Sequence, residues 1–152
     1  MTNQEFKKMF LEMMQNQDNP FHPLVFISGA PKLGKNVYIG LFSNINGKNT
    51  NVEIGDNCDI ASQVSINGAD SHKLCLGLSK EIDRKPIILE KNVFVGTHSF
   101  IGGGCHIGHH SVVAAGTILI NSGKIPPYSL IIGNPSKIKP GYFKSKKADD
   151  SA

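Results

Sequence analysis

The stretch LEKNVFVGTHSFIGGGCHIGHHSVVAAGTIL, Leu89 to Leu119, repeats itself every six residues. Its first positions are Leu89, Val95, Ile101, Ile107, Val113 and Leu119, all branched and aliphatic. The second position is Gly96, Gly102 and Gly108, then Ala114. The fifth is small or β-branched: Val93, Ser99, Cys105, Ser111 and Thr117. A period of six matches neither the 3.6 of an amphipathic helix nor the 2 of an alternating strand. It matches very short strands joined by turns at a fixed count, so that first-position side chains stack along a narrow interior.

The same frame extends upstream through Ile27, Leu33, Ile39 and Ile45. After a slip around NGKNTNV it resumes at Ile54, Ile60 and Ile66. Fourth positions carry Asn36, Asn57, Asn92, His98, Gly104 and His110, residue types that tolerate a positive φ. Glycine at second positions lets the backbone turn where a Cβ would clash. Each coil buries its apolar face only against its neighbours, so stability is close to one-dimensional.

The rhythm stops inside SINGADSHKLCLGLSKEIDRKP, Ser65 to Pro86, where the expected aliphatic position holds His72. A segment therefore leaves the stack as a loop, over 72–87, and loops on rigid scaffolds are where reactive groups are placed. Ahead of the repeat, TNQEFKKMFLEMMQNQ sets Phe6, Phe10, Met13 and Met14 on one helical face, with Thr2 or Asn3 as cap. DNPFHP, with Pro20 and Pro23, ends that helix. The chain divides into a capping helix and linker over 1–22, a coil domain over 23–140 and a basic tail over 141–152.

The 152 residues suit one compact domain, and 16 glycines with no Trp suit a turn-dense β architecture. The net charge of +4 is modest and gathers near the C-terminus, at Lys137, Lys139, Lys144, Lys146 and Lys147; it predicts no nucleic-acid partner. Cys58, Cys75 and Cys105 form no CxxC pair and are odd in number, which argues against a disulfide framework or zinc knuckle. No apolar run approaches the roughly 20 residues of a membrane span. No signal peptide is visible, and a cytoplasmic location is the expectation.

VFVGTHSFIGGGCHIGHHSVVAAGT and IPPYSLIIGNPSKIK resemble the hexapeptide-repeat acyltransferases over roughly Pro23 to Phe143. Within them the chain is most similar to the galactoside, maltose, xenobiotic and capsule-sugar O-acetyltransferase branch. That resemblance implies a left-handed parallel β-helix, acetyl-coenzyme A as donor, and a homotrimer with active sites between subunits. It also implies a His general base at the start of the protruding loop, and His72 in INGADSH is the matching position. An alcohol is a poor nucleophile until a base near neutral pKa removes its proton. Asp70 and Ser71 stand close enough in sequence to orient that imidazole, and Asp70 also reads as an acceptor contact. Asn44 and Asn46 resemble the family's acceptor-binding asparagine. On the donor side the resemblance assigns Thr97 near the thioester, Ala115 as a nearby amide, and Lys137 and Lys139 at the coenzyme phosphates. Gly103 and Gly104 join the same wall.

The expected reaction is acetyl transfer to a sugar hydroxyl on a surface-polysaccharide precursor or small saccharide. Transfer to the amino group of a nucleotide-linked sugar, or to a xenobiotic hydroxyl, are the alternatives within the family. Outside it stand a zinc carbonic-anhydrase-like protein, which needs a convergent His set, and a scaffold without activity. The expectation for metal is none.

Overall fold

The six-residue frame becomes a three-sided prism. The computed structural model describes residues 1–15 and 24–146. The side chain of Met14, the linker with Pro20, His22 and Pro23, and Lys147 lie outside the described residues. Face A stacks Phe26–Gly29, Asn44–Gly47, Ser65–Asn67, Phe100–Gly102 and Ile118–Leu119. Face B stacks Lys32–Leu33, Val52–Ile54, Ile87–Leu89, Cys105–Ile107 and Gly123–Ile125. Face C stacks Tyr38–Ile39, Asp59–Ile60, Phe94–Val95, Val112–Val113 and Leu130–Ile132, and Lys137–Lys139 closes it antiparallel. The chain visits A, B and C in turn, and every pairing between successive coils is parallel.

First positions fall into register with one another. Ile45, Ile66, Ile101 and Leu119 are partners on face A; Ile54, Leu89, Ile107 and Ile125 on face B; Ile60, Val95, Val113 and Ile131 on face C. All of them are buried, and each aliphatic side chain so removed from water contributes roughly 1.5–3 kcal/mol. The frame also runs two positions further than Leu119, through Ile125 and Ile131. Ile27 lies in the strand at the edge of face A and, among the described residues, stays exposed.

Turn chemistry follows the frame. Asn36, Asn57, Asn92, His98, Gly104 and His110 all have φ between 53° and 83°. Second-position glycine answers a different need: a Cβ on Gly96 would lie 2.4 Å from the Ala115 nitrogen of the next coil. Fifth positions are buried and turn their polar atoms onto carbonyls. Ser99 Oγ donates to Ala114 O at 3.0 Å and Ser129 Oγ to Pro126 O at 2.6 Å. Cys58 and Cys105 occupy the same slot, so two of the three thiols are packing groups. Burial pushes the Cys58 thiol pKa up.

Helix α1 spans Asn3–Gln15 and opens on a reciprocal cap, Glu5 N–H to Thr2 Oγ1 at 3.2 Å and Thr2 N–H to Glu5 Oε2 at 2.7 Å. Phe6 and Phe10 stack along one face as the spacing predicts. Phe6, Phe10 and the Phe26–Gly29 strand are exposed, and Met13 is half-buried. At the other end Gly141–Lys146 folds back rather than trailing: Phe143 N–H donates to Tyr128 O at 2.9 Å, and Lys146 Nζ sits 3.8 Å from the centre of the Tyr142 ring. Among the described residues no helix is long and apolar enough to cross a membrane.

Candidate active site

Both departures from the six-residue count fall at one edge of the prism, where face A turns into face B. The first is the short insertion after Gly47. The second is the arm. It leaves after Asn67, pairs Ala69–Asp70 antiparallel with Asp83–Arg84, and carries the four-residue helix α2, His72–Cys75, between them. The arm is anchored one residue deeper than the sequence frame predicts at its far end: Ile87 belongs to face B and is fully buried, because its side chain continues the inward column with Val52 and Cys105. Lys73 Nζ to Asp83 Oδ2 at 2.8 Å ties helix to ribbon, lowering the Asp83 pKa and raising that of Lys73.

His72 is the first residue of α2, and Asp70 holds it twice. Asp70 Oδ1 accepts the His72 backbone N–H at 3.0 Å and faces its Nδ1 at 2.6 Å. The backbone N–H, then the ring, keep the Asp70 carboxyl below its usual pKa. An ionised carboxylate only accepts hydrogen bonds. Nδ1 therefore carries a proton, and in the neutral imidazole Nε2 presents its lone pair. This is the arrangement in which one ring nitrogen is fixed so that the other can act as a base.

His72 lines a cleft of about 530 Å³ together with Asn67, Asp70, Lys85, Phe100, Gly103 and Asn121, among others. Phe100 and Ile120 supply apolar wall, and Gly102 sits between them, where a Cβ would meet both side chains at 3.0–3.3 Å. Among the other expected residues, Gly103 also reaches this cleft. Gly104 adjoins it, its backbone N–H bonded to Pro86 O at 2.8 Å.

Asn44 and Asn46 do not line the cleft. Asn44 points outward from face A, and Asn46 belongs to a ladder along the A–B edge. Ser28 Oγ donates to Asn46 Oδ1 at 3.0 Å, and Asn46 Nδ2 to Asn67 Oδ1 at 3.1 Å. Asn67 is the rung that reaches the cleft, one the sequence reading did not single out. It follows the inward Ile66 as Asn46 follows Ile45, so the frame itself carried the signal.

Thr97 and Ala115 lie on a different edge, where face C turns into face A. Thr97 Oγ1 donates to Ser62 O at 2.7 Å, and its carbonyl accepts Gly116 N–H at 2.9 Å. Gly133 comes to the same edge, its N–H on Thr117 Oγ1 at 3.2 Å, and Lys137–Lys139 follows as an exposed strand paired with Leu130–Ile132. One chain thus distributes the expected residues over two edges of the prism. His98 occupies a turn with φ 58° and is exposed. Cys75 is exposed on α2 and is not among the cleft residues.

A second cluster occupies the B–C edge. His106 Nε2 lies 2.8 Å from Glu90 Oε1, His109 N–H donates to Glu90 Oε2 at 2.9 Å, and His110 stacks on Tyr128. His106 is a strand residue on the outer side of face B. Among the described residues no three His, Cys, Asp or Glu side chains form a group able to hold a metal ion.

Comparison with known proteins places this architecture. Residues 86–120 match the family model for the hexapeptide repeat of succinyl-transferases. The chain is 32% identical over 160 residues to the galactoside O-acetyltransferase of Escherichia coli (strain K12), covering 95% of this chain and 74% of that enzyme. Against the 2,3,4,5-tetrahydropyridine-2,6-dicarboxylate N-succinyltransferase of Xylella fastidiosa the identity is 26%, and the chain spans only 34% of that protein. Among solved structures, a hexapeptide-repeat acetyltransferase of Vibrio cholerae in complex with acetyl-coenzyme A superposes with TM-score 0.54 at 25% identity, covering 89% of this chain and 84% of that one. An N-acyltransferase of Bacillus cereus superposes with TM-score 0.67 at 22% identity, over 77% of this chain and 65% of that one, which speaks to the fold alone. With its six-residue frame, its three-faced stack and its extent of identity to the Escherichia coli enzyme, the chain belongs to the hexapeptide-repeat acyltransferases, in the branch that contains galactoside O-acetyltransferase.

Proposed function

We propose that this protein transfers the acetyl group of acetyl-coenzyme A to a sugar hydroxyl by direct attack, with His72 as general base. The observation that carries this reading is the Asp70–His72 pair at 2.6 Å, which leaves Nε2 as the free proton acceptor of a residue that lines the cleft. In the reaction the acceptor oxygen attacks the thioester carbonyl carbon as its proton passes to Nε2. The tetrahedral adduct collapses with loss of the C–S bond, and the proton goes on to the departing thiolate, giving an ester and free coenzyme A. A backbone amide aimed at the carbonyl oxygen would stabilise the adduct.

The split of expected residues between two edges supports sites built between subunits. His72, Gly103 and Gly104 lie at or beside the A–B edge, whereas Thr97, Ala115 and Lys137 lie on or next to the C–A edge. A homotrimer that sets the A–B edge of one subunit against the C–A edge of the next reunites base and donor wall, with Lys137 and Lys139 available to the coenzyme phosphates. Asn67, linked to Asn46, and Asp70 stand on the acceptor side. Acetyl-coenzyme A as donor is in keeping with a cytoplasmic enzyme.

The decisive experiment follows free thiol release from acetyl-coenzyme A across a panel of sugars and amino sugars. Wild type is expected to acetylate a hydroxyl, and His72→Ala to lose roughly 10²–10⁴-fold in kcat, the usual scale for a general base, while still gaining thermal stability from the coenzyme. Wild-type rates in His72→Ala remove this residue from the chemistry. Acetylation confined to amines assigns the protein to N-transfer instead.

A further inference from the structure

Lys85 takes an unusual course. It leaves the arm where its backbone N–H donates to Gly68 O at 2.9 Å, and its side chain then runs along the prism to Asn121, where Nζ donates to Oδ1 at 3.0 Å. The path is open because two glycines lie under it. A Cβ on Gly103 would meet Lys85 Cβ at 2.9 Å, and one on Gly104 would stand 2.8 Å from Asn121 Oδ1 and 3.4 Å from Lys85 Cδ. The glycines expected to form a bare wall for the donor thus seat a cation.

The charges around it single Lys85 out. Among the described residues lining the cleft, Asp70 is engaged by His72, and Lys73 by Asp83 at 2.8 Å. Lys85 is the remaining cation; its charge is felt by Asp83, whose carboxylate is bonded to Lys73, but its own hydrogen-bond partner there is a neutral amide oxygen. An ammonium group has three N–H bonds. With one given to Asn121, two remain for an anion, and a carboxylate or phosphate forms charge-assisted bonds with such a donor that exceed neutral ones in strength.

We propose that Lys85, held out by Asn121, selects the acceptor, and that the acceptor is an acidic sugar carrying a carboxylate or phosphate beside the hydroxyl to be acetylated. This rests on the reading of the cleft as the acetyl-transfer site. Lys85 and His72 line the same cleft, so an anion held by the one belongs on the molecule deprotonated by the other. On the donor, the nearest phosphate is separated from the reacting carbonyl by the whole pantetheine arm.

The test compares neutral and acidic partners in thiol-release kinetics: glucose with glucuronate and with glucose 6-phosphate, galactose with galacturonate, and N-acetylmannosamine with N-acetylneuraminate. Wild type is expected to favour the acidic member of at least one pair by about tenfold or more in kcat/KM, the scale of a hydrogen bond to a charged group. Lys85→Gln is expected to erase that ratio, and Lys85→Arg to retain most of it. A preference for neutral partners, or an acidic preference that survives Lys85→Gln, overturns the proposal. So does a Lys85→Gln defect confined to the KM for acetyl-coenzyme A, which would assign the cation to the donor phosphates. An enzyme that binds acetyl-coenzyme A in a thermal-shift measurement but acetylates no acidic sugar of the panel also overturns it. Failure to bind acetyl-coenzyme A at all strikes at the acetyl-transfer reading instead.

Discussion

Asp70 Oδ1 accepts both the backbone N–H of His72, at 3.0 Å, and its Nδ1–H, at 2.6 Å. A single oxygen thereby fixes where α2 begins and which ring nitrogen holds the proton. Both residues are exposed, so the pair adds little to stability. Its value is in orientation. Asp70→Asn keeps an oxygen for the backbone N–H but no longer dictates the tautomer. It is expected to lower kcat by about 10²-fold, the lower end of a general base's contribution, with little change in the KM for acetyl-coenzyme A. Steady-state kinetics of the variant check this, and an unaltered kcat would make Asp70 a loop residue only.

Cys75 lies one helical turn from His72 and is the exposed thiol of the three. A covalent acyl-enzyme route would use it as nucleophile. It is not among the cleft residues, and direct attack needs no such intermediate. Cys75→Ala is expected to turn over at the wild-type rate, with no acetyl-protein species by mass spectrometry after rapid quenching. A dead variant, or a trapped acetyl adduct, would replace direct transfer by a two-step route.

Much of the fold was legible in the sequence because the prism is a direct transcription of its period. First positions became the inward columns, fourth positions the left-handed turns and fifth positions the buried hydroxyl and thiol slots, each decided by contacts a fixed count away. Of the candidate site, only contacts between near neighbours in sequence were legible. His72 and Asp70 are two residues apart, and the break in rhythm around them exposed both. Lys85 and Asn121, 36 positions apart, meet because the arm returns beside the coil after Gly104, and no spacing within either segment announces it. Asn46 illustrates the intermediate case: it shares a column with Asn67, one coil below the asparagine that lines the cleft.

Gly96 tests the packing rule between coils. Its backbone lies so close to the next coil that an added Cβ would stand 2.4 Å from Ala115 N and 2.8 Å from Ala115 Cα, both backbone atoms that cannot swing aside. Gly96→Ala is therefore expected to destabilise by about 1–3 kcal/mol, the usual cost of overpacking. Gly116→Ala meets no atom within 4 Å yet has φ 70°, so its cost is the strain of a left-handed residue, about 1 kcal/mol. Denaturant unfolding of the two variants separates spacing from strain; equal losses would refute close approach as the reason for Gly96.

Glu90 predicts how stability responds to acid. Burial pushes its carboxyl pKa up, but the hydrogen bond from His106, the His109 backbone N–H and the charges of both imidazoles together draw it down further, leaving it below the ordinary carboxylate value. A carboxyl whose folded pKa is depressed contributes stability that is fully present above its unfolded value, about 4.3, and lost as pH falls through the lower folded value. Glu90→Gln keeps the size of the side chain while removing the charge. The variant is expected to be less stable by about 1 kcal/mol at pH 7, the net worth of a hydrogen bond, with the gap closing as the pH is taken below that of the free carboxyl. Thermal unfolding of both proteins between pH 7 and the acid range reads this directly. A gap of constant size down to the acid end would mean that the Glu90–His106–His109 contact draws nothing from the carboxylate's charge.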